Sequence, residues 1–213
     1  MIVEHLVLGA LACNCTILGD EATREALVID GGDGVTEVAS RLRALGLRAK
    51  YLIHTHAHID HIGDAGELRR ETGGAVLLHP ADLPLYRTLA LQAQWLGLAS
   101  PPKVVDLDGE LHDEQTLRCG EISLDVLHTP GHTPGSVCFT TRLQQRDLIF
   151  SGDTLFAGSI GRWDLGGTSQ DDIVESITRK LLVFGDQTPV IPGHGPSTTI
   201  GTERRMNPFL HGV

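Results

Sequence analysis

Aromatic side chains are scarce here: five Phe, two Trp and two Tyr among 213 residues. Glycine, by contrast, occurs 25 times, a balance that suits a fold with many tight strand-to-loop junctions better than a helical bundle. Basic residues are few as well, 17 Lys and Arg against 27 Asp and Glu for a net charge of −10. They are dispersed rather than clustered, so the electrostatic footprint expected of a nucleic-acid binder is missing. No run approaches the roughly 18 apolar residues needed to span a membrane. The opening MIVEHLVLGALAC carries Glu4 and His5 and no basic stretch, so it reads as a first strand rather than a secretion signal. Only four cysteines occur, Cys13, Cys15, Cys119 and Cys138. The C-x-C pair has no second pair to complete a soft-metal site, and all four are expected to be reduced and structural in a cytoplasmic protein.

What the sequence does contain is an alternation of strand and helix signals. Residues 2–8, 13–18 and 26–30 are short β-rich runs separated by turn residues. VTEVASRLRALG follows, with Val35, Val38, Leu42 and Leu45 at helical spacing and Gly46 placed to end the helix. AKYLIH reads as a strand, GELRRETG as a helix, AVLLH as a strand and residues 80–98 as a helical or irregular excursion. The theme returns with strands at ISLDVLH, SVCFTT and DLIFS, an amphipathic helix at DDIVESITRKLLVF and a last strand at TPVIP. No low-complexity linker divides the halves, so one α/β domain over residues 1–213 is expected, its sheets covered by helices.

Histidine is concentrated in one place. HTHAHIDHIGD, residues 54–64, holds four of the eleven histidines together with Asp60 and Asp64. In an extended segment His56 and His58 project to the same side, where one cation accepts both imidazoles; Asp60 continues that alternation and His61 breaks it toward a neighbouring ion. The cluster follows an apolar strand, the place where α/β sheets put their ligands. His54 reads as a core or supporting residue; His5, His79, His112, His128 and His211 are given no role.

Thr55-His56-Ala57-His58-Ile59-Asp60-His61 resembles the signature of the metallo-β-lactamase superfamily. TPGHTPGS with His132, FSGDTLF with Asp153 and IPGHG with His194 follow in the same order. The resemblance implies an αββα four-layer sandwich with two divalent metal ions, one held by His56, His58 and His132, the other by Asp60, His61 and His194, with Asp153 bridging. Imidazoles and carboxylates suit Zn²⁺ first, and Fe or Mn as well. Such an ion pair holds a hydroxide, which attacks an acyl carbon polarised by one ion. Asp60 and Asp153 are then the catalytic carboxylates, ligands first and proton carriers second.

The small size, GDTLFAGSIGR and the GHGPSTTIGTERRMNPFL tail are similar to the glyoxalase II (hydroxyacylglutathione hydrolase) branch. That resemblance implies a small-molecule thioester substrate, S-acyl glutathione or a relative, with Arg162 contacting the glutathione carboxylate. No nucleic-acid or membrane partner is expected, and oligomeric state is not readable. Two alternatives stand beside it: a mono-iron persulfide dioxygenase, which shares the GR-x-D pattern of residues 161–164, and another hydrolase of the superfamily such as a lactonase or β-lactamase.

Overall fold

The computed structural model describes residues 1–164 and 168–211 and divides into two compact units, Met1–Leu111 with Arg118–Ile122, and His112–Leu117 with Ser123–Val213. The first unit is built on a six-stranded sheet, β1 (Ile2–Leu8), β2 (Cys13–Gly19), β3 (Glu25–Ile29), β4 (Arg48–Ile53), β5 (Ala75–Leu78) and β6 (Gly109–Glu110), in that order across the sheet. β1, β2 and β3 pair antiparallel, while β3, β4, β5 and β6 pair parallel. Parallel neighbours need crossovers. The first two are α1 (Val35–Leu45) between β3 and β4, and α2 (Ile59–Ile62) with α3 (Ala65–Thr72) between β4 and β5. α1 buries Val38, Ala39 and Leu42 and stops at Gly46, whose φ of 63° is left-handed, a conformation glycine adopts without penalty. Val38, Leu42, Leu52, Leu68, Val76 and Leu78 share one buried cluster with β2 and β3.

The excursion after β5 resolves into a 3₁₀ turn at Pro80–Asp82, α4 (Leu83–Tyr86) and α5 (Leu89–Trp95). Leu89 is buried, whereas Trp95 is 74% exposed, so only part of its apolar content packs into the core.

The other six-stranded sheet, most of it in the second unit, runs in the order β14 (Thr198–Thr199), β13 (Pro189–Pro192), β10 (Arg146–Gly152), β9 (Val137–Leu143), β8 (Ile122–His128), β7 (Thr116–Cys119). A small hairpin of β11 (Leu155–Phe156) and β12 (Ser159–Ile160) follows β10. The expected amphipathic helix is α6 (Gln170–Ser176), opened by a Ser169–Asp172 capping box and continued as a π-helical turn over Ile177–Leu181. Ile173, Ile177 and Leu181, four residues apart, all enter the core with Ile149 and Val190. α7 (Ile200–Met206) closes the unit. No helix of the described residues is long and apolar enough to cross a membrane.

Candidate metal centre

In the first unit the chemistry gathers at the carboxyl ends of the parallel strands, where backbone ends and crossover loops leave room for ligands. β3 ends into Asp30, β4 into His54–His58, and β5 into His79 and Asp82. The strand stops at Ile53, so the expected extended alternation does not reach Asp60. Instead His58 is the N-terminal cap of α2, and Asp60 and His61 sit on that helical turn. A turn advances 100° per residue, which is how two consecutive side chains are both available as ligands.

The four candidate ligands of this unit converge. His56 Nε2 lies 2.9 Å from His58 Nδ1, and the rings of His56 and His61 are 4.0 Å apart. His61 Nε2 is 3.5 Å from Asp60 Oδ2. Cys13, at the start of β2, adds its Sγ to this group: the donor atoms of Cys13, Asp60 and His61 lie within 4.8 Å of one another. Burial pushes the Cys13 thiol up to about 11, so it stays protonated at neutral pH. It is one of four free, buried cysteines.

Asp30 organises these imidazoles and escaped the sequence reading. Its carboxylate accepts from Thr55 N (2.8 Å), from Thr55 Oγ1 (2.7 Å) and from His61 Nδ1 (3.0 Å). Because Thr55 Oγ1 donates to Asp30, it is left to accept from His56 Nδ1 at 3.1 Å. One carboxylate therefore fixes the tautomer of two histidines, His61 directly and His56 through Thr55, and leaves Nε2 of each with its lone pair toward the cluster. The sequence signal was an aspartate at the end of an apolar strand, ALVID.

The loop itself is held by buried polar side chains. Asp82 accepts from Ala57 N at 2.8 Å, and Gln92 of α5 both accepts from Ile59 N at 3.0 Å and donates to Ala57 O at 3.2 Å. His54 is fully buried and donates from Nδ1 to His61 O at 2.8 Å, while burial pulls its pKa down to about 4, so it remains neutral. Gly32 presses against the His61 backbone so closely that a Cβ would collide with it.

The second unit supplies its residues from three strand ends. β8 pairs antiparallel with β9, β9 antiparallel with β10, and β10 parallel with β13, so β8, β10 and β13 run the same way. His132 follows β8, Asp153 follows β10 and His194 follows β13. Asp153 Oδ2 is 3.6 Å from His132 Nε2 and 3.8 Å from His194 Nε2. His132 Nδ1 donates to the Arg162 carbonyl at 2.8 Å, which turns its Nε2 lone pair toward Asp153. Gly161 lies against the Asp153 carbonyl, with no space for a side chain.

Arg162 thus contributes its backbone to this group. Its side chain, 65% exposed, forks onto Asp164 through two 3.0 Å hydrogen bonds. His79 caps the Pro80–Asp82 turn, and His128 bonds the Pro134 carbonyl.

The model of the metallo-β-lactamase superfamily matches residues 8–200. The chain belongs to that superfamily. Hydroxyacylglutathione hydrolase GloC of Haemophilus influenzae is 35% identical over 217 residues, covering 99% of each chain. The BLEG-1 B3 metallo-β-lactamase superposes with a TM-score of 0.88 at 35% identity, over 99% of this chain and all of the other. TTHA1623, solved in a di-iron-bound form, gives 0.85 at 38% identity, over 98% and 100%. The superfamily's α/β fold, expected from the motifs, is that of this chain, and membership places it among metal-dependent hydrolases. Donor types and spacings fit first-row metal ions: neutral imidazole nitrogens with carboxylates, closely spaced within each unit.

Proposed function

We propose that the chain is a two-metal thioesterase of glyoxalase II type, acting on S-acyl glutathione or a related thioester in the cytoplasm. In this reading His56, His58 and His132 hold one ion, Asp60, His61 and His194 the other, and Asp153 serves both. The carrying observation is that each unit presents a convergent set, four residues in one and three in the other, on the motifs of a family whose match spans both. The full-length likeness to a hydroxyacylglutathione hydrolase supports the thioester. Four free, buried cysteines accord with a reducing compartment. Zn²⁺ is the first expectation, with Fe and Mn suited to the same donors.

When bound, the ions supply Lewis acidity and lower the pKa of water toward ~7, giving a nucleophile at neutral pH. The chain's own residues set the stage for that chemistry. Asp30 and the Arg162 carbonyl lock His61, His56 and His132 as Nδ1–H tautomers, so that Nε2 is a ready donor without rearrangement. Asp60 and Asp153 contribute negative charge beside those nitrogens and are the carboxylates placed to relay a proton to the departing thiolate. No serine or cysteine nucleophile is needed.

The likeness to BLEG-1 favours β-lactam hydrolysis as a second reading. One set of measurements separates the readings: metal content per chain, hydrolysis of S-D-lactoylglutathione, hydrolysis of a chromogenic β-lactam, and oxygen uptake with glutathione persulfide. Two metals with thioester loss supports the proposal. One iron with oxygen uptake supports the persulfide dioxygenase alternative, and β-lactam turnover without thioester loss overturns the substrate assignment.

A further inference from the structure

Asp60 also forms part of the wall of an open groove of about 220 Å³ in the first unit, lined by Leu11, Ile59, Leu96, Leu98 and Pro102. Leu11, Leu96 and Leu98 are 45%, 47% and 47% exposed. Three leucines gathered around one opening, beside a carboxylate assigned to a metal ion, differ from apolar residues scattered singly over a surface. The wall is also tied to the ligand turn. Leu96 N bonds to Gln92 O and Leu98 N to Ala93 O, and Gln92 clamps Ala57 and Ile59 on either side of His58. Groove and ligand loop therefore hold a fixed spacing.

Charge decides what the groove takes. Asp33 and Asp64 stand in its lining and no Lys or Arg does. Neither aspartate forms an ion pair with a described residue, so an anionic end group lying along the leucines, away from the metal side of Asp60, would meet two carboxylates and no side-chain cation. Glutathione carries carboxylates at both ends, which makes the thiol half of the substrate a poor occupant and leaves the acyl half. We propose that this groove is the acyl site: it takes the hydrocarbon chain of a neutral acyl thioester and rejects acyl groups that end in a carboxylate. The assignment rests on the thioesterase reading above and specifies its substrate class.

Each methylene moved from water into such a groove is expected to raise affinity about fourfold. The holoenzyme is titrated by calorimetry with the non-hydrolysable S-methyl-, S-propyl- and S-hexylglutathione, and kcat/KM is measured on S-acetyl-, S-butanoyl-, S-hexanoyl- and S-succinylglutathione. Expected are a Kd that falls with alkyl length, a kcat/KM that rises with acyl length, and succinyl at least about tenfold below butanoyl, since a like charge placed beside Asp33 and Asp64 is disfavoured. The double variant Leu96→Ser/Leu98→Ser flattens both series, Leu11→Ser does so in part, and Asp33→Asn/Asp64→Asn narrows the gap between succinyl and butanoyl. Kd and kcat/KM independent of chain length, or series unchanged in both leucine variants, overturn the acyl groove while leaving a thioesterase. A holoenzyme that cleaves none of the thioesters overturns both.

Discussion

The four candidate ligands of the first unit lie between His56 and His61, with His61 and His56 oriented by the side chains of Asp30 and Thr55, whereas the three of the second are spread from His132 to His194, with His132 oriented by a backbone carbonyl. In the first unit Asp30, Thr55, Asp82 and Gln92 decide where the loop and its imidazoles point. In the second, three co-directional strands deliver the residues, and a carbonyl orients His132. A short loop gains no direction from a sheet after its strand ends, so it needs buried polar partners, each paired because an unpaired one is costly. The loop that carries His132, four residues beyond β8, is held in the same way, by Ser136 Oγ accepting from Thr133 N and Ser176 Oγ donating to the Pro130 carbonyl. Side-chain steering is thus open to substitution, while backbone steering yields only to changes that move the chain.

The largest expected effect tests whether the two sets serve one centre. Asp153→Ala removes the ligand assigned to both ions and should lower kcat by at least about 10³, since the ions contribute several kcal/mol at 1.36 kcal/mol per decade. Metal content should fall for both ions in Asp153→Ala and for one in His194→Ala, with circular dichroism and melting showing a retained fold. Equal loss in the two variants removes the bridging role from Asp153.

Asp30→Asn comes next and addresses steering by side chain. An amide has one acceptor oxygen and cannot receive Thr55 N, Thr55 Oγ1 and His61 Nδ1 together, so a histidine loses its locked tautomer. Metal affinity should drop about 10–100-fold, read by competition with a chelator. Thr55→Val interrupts only the path to His56, leaving one buried N–H without its acceptor; the loss of a neutral hydrogen bond predicts a decline of about tenfold or less. If Thr55→Val weakens metal binding as much as Asp30→Asn, the relay from Asp30 through Thr55 is not what orients His56.

Much of this arrangement was legible in the sequence. The seven candidate ligand positions stand in motifs that each follow an apolar strand, and α1 announced itself through Val35, Val38, Leu42 and Gly46. The geometry at Asp60 nonetheless departs from the extended alternation, because nothing in HTHAHIDHIGD marks where β4 ends and α2 begins. The two-residue strands β6, β11, β12 and β14 are too short to show any period. α7 had a signal that went unread, Thr199 accepting from Thr202 N as a helix cap. Asp30 was invisible for a different reason: its partners are His61 and Thr55, and a contact across a sheet end leaves no local pattern. The π-helical continuation of α6 has no sequence mark that we can identify.

Arg162 provides the smallest effect and the cleanest contrast between the two kinds of steering. Its carbonyl orients His132, so Arg162→Ala keeps that hydrogen bond and should leave metal content and kcat unchanged, unlike Asp30→Asn. Its guanidinium is engaged by Asp164, whose carboxyl the hydrogen-bonded arginine holds below the usual range. A substrate carboxylate must therefore compete with Asp164 for the fork. Because exposed ion pairs are weak, losing the arginine should raise KM for S-lactoylglutathione by no more than about fivefold, and Asp164→Asn, which frees the fork, should lower KM by a similar factor. Opposite signs in the two variants would mark Arg162 as the contact for the glutathione carboxylate. If KM stays put in both, the side chain only braces the surface, and the importance of residue 162 is confined to its backbone.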